Sequence, residues 1–188
     1  STFVYVTHDQ LEAMTLSTRI SLFNEGKLQQ YAPPLEIYNY PVNTFVGDFV
    51  GSPPMNIVDV TCLDADGDTV ALSFANVKLF FKGKGTINVD PGDGLKLGMR
   101  PEHFQLSNGG GMSGVIYSSL PSGLETVFKV DIAGHILTGI AFGGQQFEYG
   151  RPVNIDFQSD KFILFSEDGR MIASGELEMV EQANATPQ

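Results

Sequence analysis

The rhythm of apolar and polar positions changes once along this chain, near residue 52. Before that point Thr2-Phe3-Val4-Tyr5-Val6-Thr7 is a β-branched and aromatic run without alternation, which predicts a short strand buried on both faces. Asp9 then reads as a helix cap. Glu12 lies three residues on, and Leu11 and Met14 open the apolar face, as in the Asp form of a capping box. Arg19 to Phe23 predicts a second strand, turned by Asn24-Glu25-Gly26 and returning from Lys27 to Tyr31. Pro34 suits the first turn of a short helix, Leu35 to Asn39, that Pro41 ends. Asn43 can cap a further helix whose Phe45, Val46, Phe49 and Val50 form one stripe. Gly51 stops it, and Ser52-Pro53-Pro54 marks a boundary.

After Met55 the runs are short, alternating or apolar, and divided by glycine turns. They cover Asn56 to Leu63, Thr69 to Phe74, Val77 to Phe81, Lys96 to Met99, Thr126 to Ala133, Ile136 to Phe142, Val153 to Phe157 and Phe162 to Phe165. Such spacing predicts a small antiparallel barrel or a pair of them. From Glu178 to Gln188 the pattern is lost, as in a frayed tail. No repeat of fixed period runs through the chain.

Composition narrows the function classes. Hydrophobic residues make up 42% and charged residues 18%, the balance of a globular protein. The 21 glycines and 14 phenylalanines favour a β-rich body. The net charge of −11 argues against nucleic acid and against an anionic membrane surface as partners. The lone Cys62 has no internal disulfide partner and points to a reducing, cytosolic setting, with Cys62 itself a buried strand residue. No apolar run reaches the roughly 20 residues of a membrane span. The first residues carry no signal-peptide pattern, and the chain opens inside a strand-like run, so a piece of a longer protein is expected.

The most informative stretch is Val6-Thr7-His8-Asp9-Gln10. A strand would deliver His8 to its C-terminal end, where open α/β sheets bind ligands. A helix start follows, whose free N–H groups favour an anion. A histidine placed there can reach a phosphate oxygen or an adjacent water.

The residues around it form a longer pattern. Val4 to Met14, Arg19-Ile20, Gly26-Lys27, Gln29-Gln30, and Pro34 to Tyr38 with Pro41 closely resemble the end of an ABC ATPase domain, specifically of the carbohydrate-importer ATPases of the maltose and glycerol-phosphate type. Phe49 to Asn56 resembles that family's junction into its C-terminal regulatory domain. Leu97 to His103 resembles a hallmark of that domain, and Phe165 to Gly169 its closing hairpin.

The resemblance implies a mainly β protein. An OB-like, TOBE-type β-barrel regulatory domain would span 53–177, an α/β remnant of the ABC ATPase domain 1–52, and a flexible tail 178–188. It implies that His8 is the switch histidine, catalytic and in contact with the ATP γ-phosphate in the intact subunit. ATP and Mg²⁺ would be that subunit's cofactors. Its partners would be a second copy of itself, transmembrane permease subunits and a cytosolic regulatory protein. It would sit peripherally at the cytoplasmic face of the bacterial inner membrane.

The departures set limits on this chain. No Gly-x-x-x-x-Gly-Lys-Ser/Thr phosphate loop occurs, nor the signature loop, nor the acidic strand that holds Mg²⁺ and the catalytic Glu, so the chain alone is expected to be inactive. Ser118 to Gly123 also departs from the family's usual turn. Asp64-Ala-Asp-Gly-Asp68 lacks the Glu and the Gly spacing of a calcium loop and reads as a hairpin turn. Arg100, Glu102 and His103 have no nucleophile or metal cluster beside them and read as structural. Gly109-Gly-Gly111 reads as a flexible connection. Two rival functions are a stand-alone small-oxyanion binder, for which the sequence offers little beyond Arg100 and Lys129, and a nucleic-acid-binding OB protein, which the acidic charge opposes.

Overall fold

A computed structural model of the 188-residue chain describes residues 1–107 and 109–179. Helix α1 (Gln10–Leu16) precedes a hairpin of β1 (Ile20–Asn24) and β2 (Lys27–Ala32), then helices α2 (Pro34–Asn39) and α3 (Thr44–Phe49). Glu25 and Gly26 both take positive φ, 48° and 74°, which is the backbone of a tight two-residue hairpin turn. Leu22, Ala32, Ile37, Val46 and Val50 close a small core between hairpin and helices, with Met14 and Phe45 packed on it. Phe49, expected on that stripe, is instead 42% exposed.

The strand expected over residues 2–7 does not form. Phe3, Val4 and Val6 are each 90% exposed. A strand needs a ladder neighbour to satisfy its backbone, and β1 pairs only with β2.

From residue 56 the regular elements among the described residues are strands and one short 3-10 turn. β3 (Asn56–Asp66), β4 (Thr69–Phe74), β5 (Val77–Gly83), β6 (Gly94–Met99), β12 (Phe162–Ser166) and β13 (Met171–Met179) form a closed barrel, in the order β12-β13-β5-β4-β3-β6. Closure leaves these strands no free edge. β7 (Phe104–Ser107), β8 (Met112–Pro121), β9 (Glu125–Ile132), β10 (His135–Phe142) and β11 (Pro152–Phe157) form an open sheet, in the order β10-β9-β8-β11-β7. The expected architecture is thus met by one barrel and one open sheet, not by two barrels. A continuous core joins them, from Phe74, Phe81, Leu97 and Phe162 in the barrel to Phe128, Val130 and Ile155 in the sheet. Asp64 to Asp68 makes the β3–β4 hairpin, with Asp66 opposite Thr69.

Two expected flexible segments are partly built into this body. Gly111 has φ +84°, and a Cβ there would lie 2.3 Å from the Ile155 carbonyl oxygen, so it is a close-packed position. β13 runs to Met179, opposite Leu79, and residues 180–188 of the expected tail lie outside the described residues.

Where β13 crosses β5 the backbones nearly touch. A Cβ on Gly175 would sit 2.0 Å from the Lys82 carbonyl oxygen, with no side chain available to move aside. Gly175→Ala should therefore destabilise the protein by about 2 kcal/mol or more. Gly85→Ala, where nothing lies within 4 Å, should be close to neutral. Urea unfolding of both variants checks the contrast.

Candidate functional site

His8 sits one residue before the cap of α1. Asp9 Oδ1 accepts from the Glu12 amide at 3.1 Å, as a cap should. Glu12 does not answer it. Its carboxylate accepts from Tyr5 Oη at 3.2 Å and Thr7 Oγ1 at 3.0 Å, while the Asp9 amide donates to Thr7 Oγ1 at 2.9 Å. Thr7 thus takes the position that the sequence assigned to Glu12. The His8 ring is exposed, and among the described residues no side-chain hydrogen bond engages it. It is not carried on a strand end, because residues 2–7 are unpaired.

The junction between the helices and the barrel is built on Arg100, whose side chain is buried. Nε and Nη2 donate to the Tyr38 carbonyl at 3.1 and 2.7 Å, and Nη1 to the carbonyls of Gly47 at 3.0 Å and Val50 at 2.5 Å. Those carbonyls belong to the last turns of α2 and α3, which a helix leaves without internal partners. One cation thus closes two helix C-termini, the end of the dipole that favours positive charge. The guanidinium also lies 4.0 Å from the Tyr38 ring centroid. Tyr38 Oη donates to Glu102 Oε1 at 2.8 Å, and burial and then this carboxylate push the phenol pKa up. Burial works against the Arg100 charge, and Tyr38 and Glu102 counter it.

His103 follows in the 3-10 turn Pro101–His103. Nε2 lies 3.1 Å from Ser159 Oγ, and the ring meets Phe162 edge-on at 5.4 Å between centroids. Nδ1 is buried without a partner. Burial holds this imidazole below its ordinary pKa, with Arg100 and Lys161 acting in the same direction and Glu102 and Asp160 against it. Arg100, Glu102 and His103 are therefore structural, as their sequence context suggested. The oxyanion pocket weighed for Arg100 and Lys129 is not assembled: Arg100 is spent on backbone carbonyls, and Lys129 is exposed on β9.

Three contacts of the junction are not foreseen from the residues, although each residue lies in a stretch that carries the resemblance. Tyr38 reads only as a helix residue. Gln10 ties α1 to the junction, its Nε2 donating to the Phe49 carbonyl and its Oε1 accepting from the Gly51 amide at 2.9 Å. Asn56 joins barrel to sheet: its Nδ2 donates to the Thr138 carbonyl at 2.8 Å, and its Oδ1 accepts from the Thr138 amide at 2.7 Å.

Comparison with known proteins bears on this geometry. The MalK OB fold domain family matches residues 51–104, and the TOBE domain family matches residues 97–165. The maltose/maltodextrin import ATP-binding protein MalK of Vibrio vulnificus is 42% identical over 103 residues, which are 55% of this chain and 28% of that protein. Its counterpart in Photobacterium profundum is 33% identical over 174 residues, 90% of this chain and 47% of that protein. That of Mannheimia succiniciproducens is 35% identical over 175 residues, 89% and 47% respectively. The chain thus spans half or less of the length of these curated relatives.

Removing the cation at the junction should be costly. Arg100→Met leaves the Val50 and Tyr38 carbonyls without a partner and the Gly47 carbonyl with only the Met55 amide, and should lower stability by about 3 kcal/mol or more, with Arg100→Lys recovering only part because an ammonium lacks the planar fork. Urea unfolding, read from both the helical and the barrel signals, tests this. His103 gives a pH dependence. As pH falls through about 6.5, the unfolded imidazole takes up a proton that the folded one resists, so stability falls. The urea midpoint should be lower at pH 5.5 than at pH 7.5, and His103→Gln should shrink that difference.

Proposed function

We propose that this chain, which belongs with the MalK OB fold and TOBE domain proteins, is the C-terminal regulatory and dimerisation portion of the ATP-hydrolysing subunit of an ABC importer for sugars or related solutes. The observation that carries this reading is the order of the two matches along one body. The OB fold match covers β3 to β6, the TOBE match runs from β6 to β12, and the Thr7-His8-Asp9-Gln10 helix start lies upstream of both. The relatives' names supply the solute class, maltose and maltodextrin.

In this reading His8 is the group of the chain that meets ATP. Its exposed imidazole can donate to a phosphate oxygen, so the residues present fit one contact to the γ-phosphate. They do not form a phosphate cradle, since the loop of glycines, Lys and Ser/Thr is absent from the sequence. Among the described residues no group of three or more His, Cys, Asp or Glu side chains converges to hold a metal ion; in this reading Mg²⁺ and the remaining phosphate contacts belong to the phosphate loop and acidic strand of the intact subunit. The ligand that shifts the subunit between open and closed pairs is ATP, and the barrel and sheet hold the pair together while the ATPase halves part. Permease subunits and a cytosolic regulator complete the assembly, which lies at the cytoplasmic face of the membrane. No helix among the described residues is long and apolar enough to cross a bilayer.

A chimera tests the assignment, with this chain replacing the matching C-terminal stretch of one of these relatives. The chimera should hydrolyse ATP. His8→Ala within it should leave ATP binding nearly intact and lower turnover about a hundredfold. Turnover close to that of the unmutated chimera would overturn the role given to His8.

A further inference from the structure

We propose that Gln10 is the positioning residue through which the barrel holds His8. The proposal rests on the reading of His8 as the group that meets ATP, and it adds the physical link between that group and the regulatory body. Among the described residues, every hydrogen bond that joins residues 1–17 to the rest of the chain is made by the Gln10 side-chain amide. The other contacts of that stretch are packing contacts, α1 against α2 with Met14 on the small core.

The two groups that Gln10 engages are not arbitrary. They are the Phe49 carbonyl and the Gly51 amide, one residue either side of Val50. The Val50 carbonyl between them belongs to Arg100. Three consecutive residues at the end of α3 are therefore gripped from two directions, by an amide of α1 and by a guanidinium of the barrel. The grip is tight on the barrel side as well: a Cβ on Gly51, whose φ is +113°, would stand 3.0 Å from Arg100 Nη1.

A primary amide carries one acceptor and one donor group at a fixed separation. It meets a carbonyl and an N–H of one backbone segment together only in a narrow range of orientations. Satisfying both fixes the first turn of α1, and His8 is two residues upstream of Gln10 beside the Asp9 cap. A shift of Arg100 moves Val50, and with it both partners of Gln10. Residues 2–7 form no ladder, and the hydrogen bonds of Tyr5 and Thr7 go to Glu12 and Asp9, within residues 1–17.

Amide hydrogen exchange of the 188-residue chain, followed residue by residue by NMR, tests the link. Gln10→Ala should raise exchange of the Ala13 and Ser17 amides, which close α1, by about tenfold, and leave barrel amides such as those of Val60 and Leu97 unchanged. Those barrel amides show that the variant is folded. Arg100→Lys should also speed the Ala13 and Ser17 amides, and this response should vanish in the Gln10→Ala background. Unchanged α1 exchange in Gln10→Ala, or an Arg100→Lys response that survives it, overturns the proposal. Should Arg100→Lys not fold, Tyr38→Phe, which removes the hydroxyl bond to Glu102 at the same junction, takes its place with the same expectation. In the chimera, Gln10→Ala should lower kcat several-fold with KM for ATP unchanged, and should do nothing further once His8 is Ala. Altered exchange with a fully active His8→Ala chimera would instead mean that the link is real and the function given to His8 is not.

Discussion

A guanidinium taken out of water must find acceptors or it costs several kcal/mol, and the whole join between the helical and β parts of this protein follows from how Arg100 meets that demand. The acceptors are backbone carbonyls, which cannot rotate away or titrate. Because they come from the ends of two different helices, the cation sets the distance and angle between α2 and α3 as well as their distance from β6. Tyr38 closes the arrangement by offering its carbonyl, its ring and, through its hydroxyl, a connection to Glu102 on the same turn as Arg100. No one of these groups could be replaced without leaving another of them short of a partner.

Apolar packing completes what the cation begins. Met55 lies just beyond the boundary, and its thioether fills the space between two glycines: a Cβ on Gly47 of α3 would stand 3.0 Å from Met55 Sδ, and one on Gly98 of β6 2.7 Å from it. An unbranched, polarizable side chain suits such an irregular gap. Ile163 and Phe165 of β12 share that small cluster. The hairpin between β12 and β13 adds backbone contacts, with the Thr44 amide donating to the Gly169 carbonyl and the Met171 amide to the Val42 carbonyl. The linker is thus a packed seam.

Much of this was legible in the sequence because local chemistry and tertiary demand agreed. β4 begins and ends where the Thr69 to Phe74 run does, and the Asp9 and Asn43 caps form as their residue types require. Three strands escaped notice for one shared reason. β8 is rich in Ser, β7 is only four residues long, and β13 mixes Ala, Ser, Gly and Glu, so none shows a strong alternation. What makes them strands is a ladder partner, β9 and β11 for β8, β11 for the edge strand β7 and the closed barrel for β13, which is information from elsewhere in the chain. Residues 2–7 failed in the opposite sense: their propensity is high, and no ladder partner exists for them here. At the junction, the Leu97 to His103 motif drew attention through its resemblance, and Gln10 and Asn56 lie inside resembling stretches too, but nothing in those stretches says which backbone groups their amides meet. A single amide placed against a backbone far away in sequence leaves nothing periodic to read.

Asn56 has a consequence for how this protein behaves in a crowded solution. β10 is the outermost strand of the open sheet, and along it Ile136, Thr138 and Ile140 turn their backbone groups away from β9, as the two bonds from Asn56 to Thr138 require. Such a row would ordinarily template the addition of a foreign strand. The central position of the row is already taken, and by a side chain held on the barrel, so an incoming chain meets a gap in the ladder where its register would have to be set. One half-buried asparagine thereby occupies the middle of that edge, where a foreign strand would need a free carbonyl and amide.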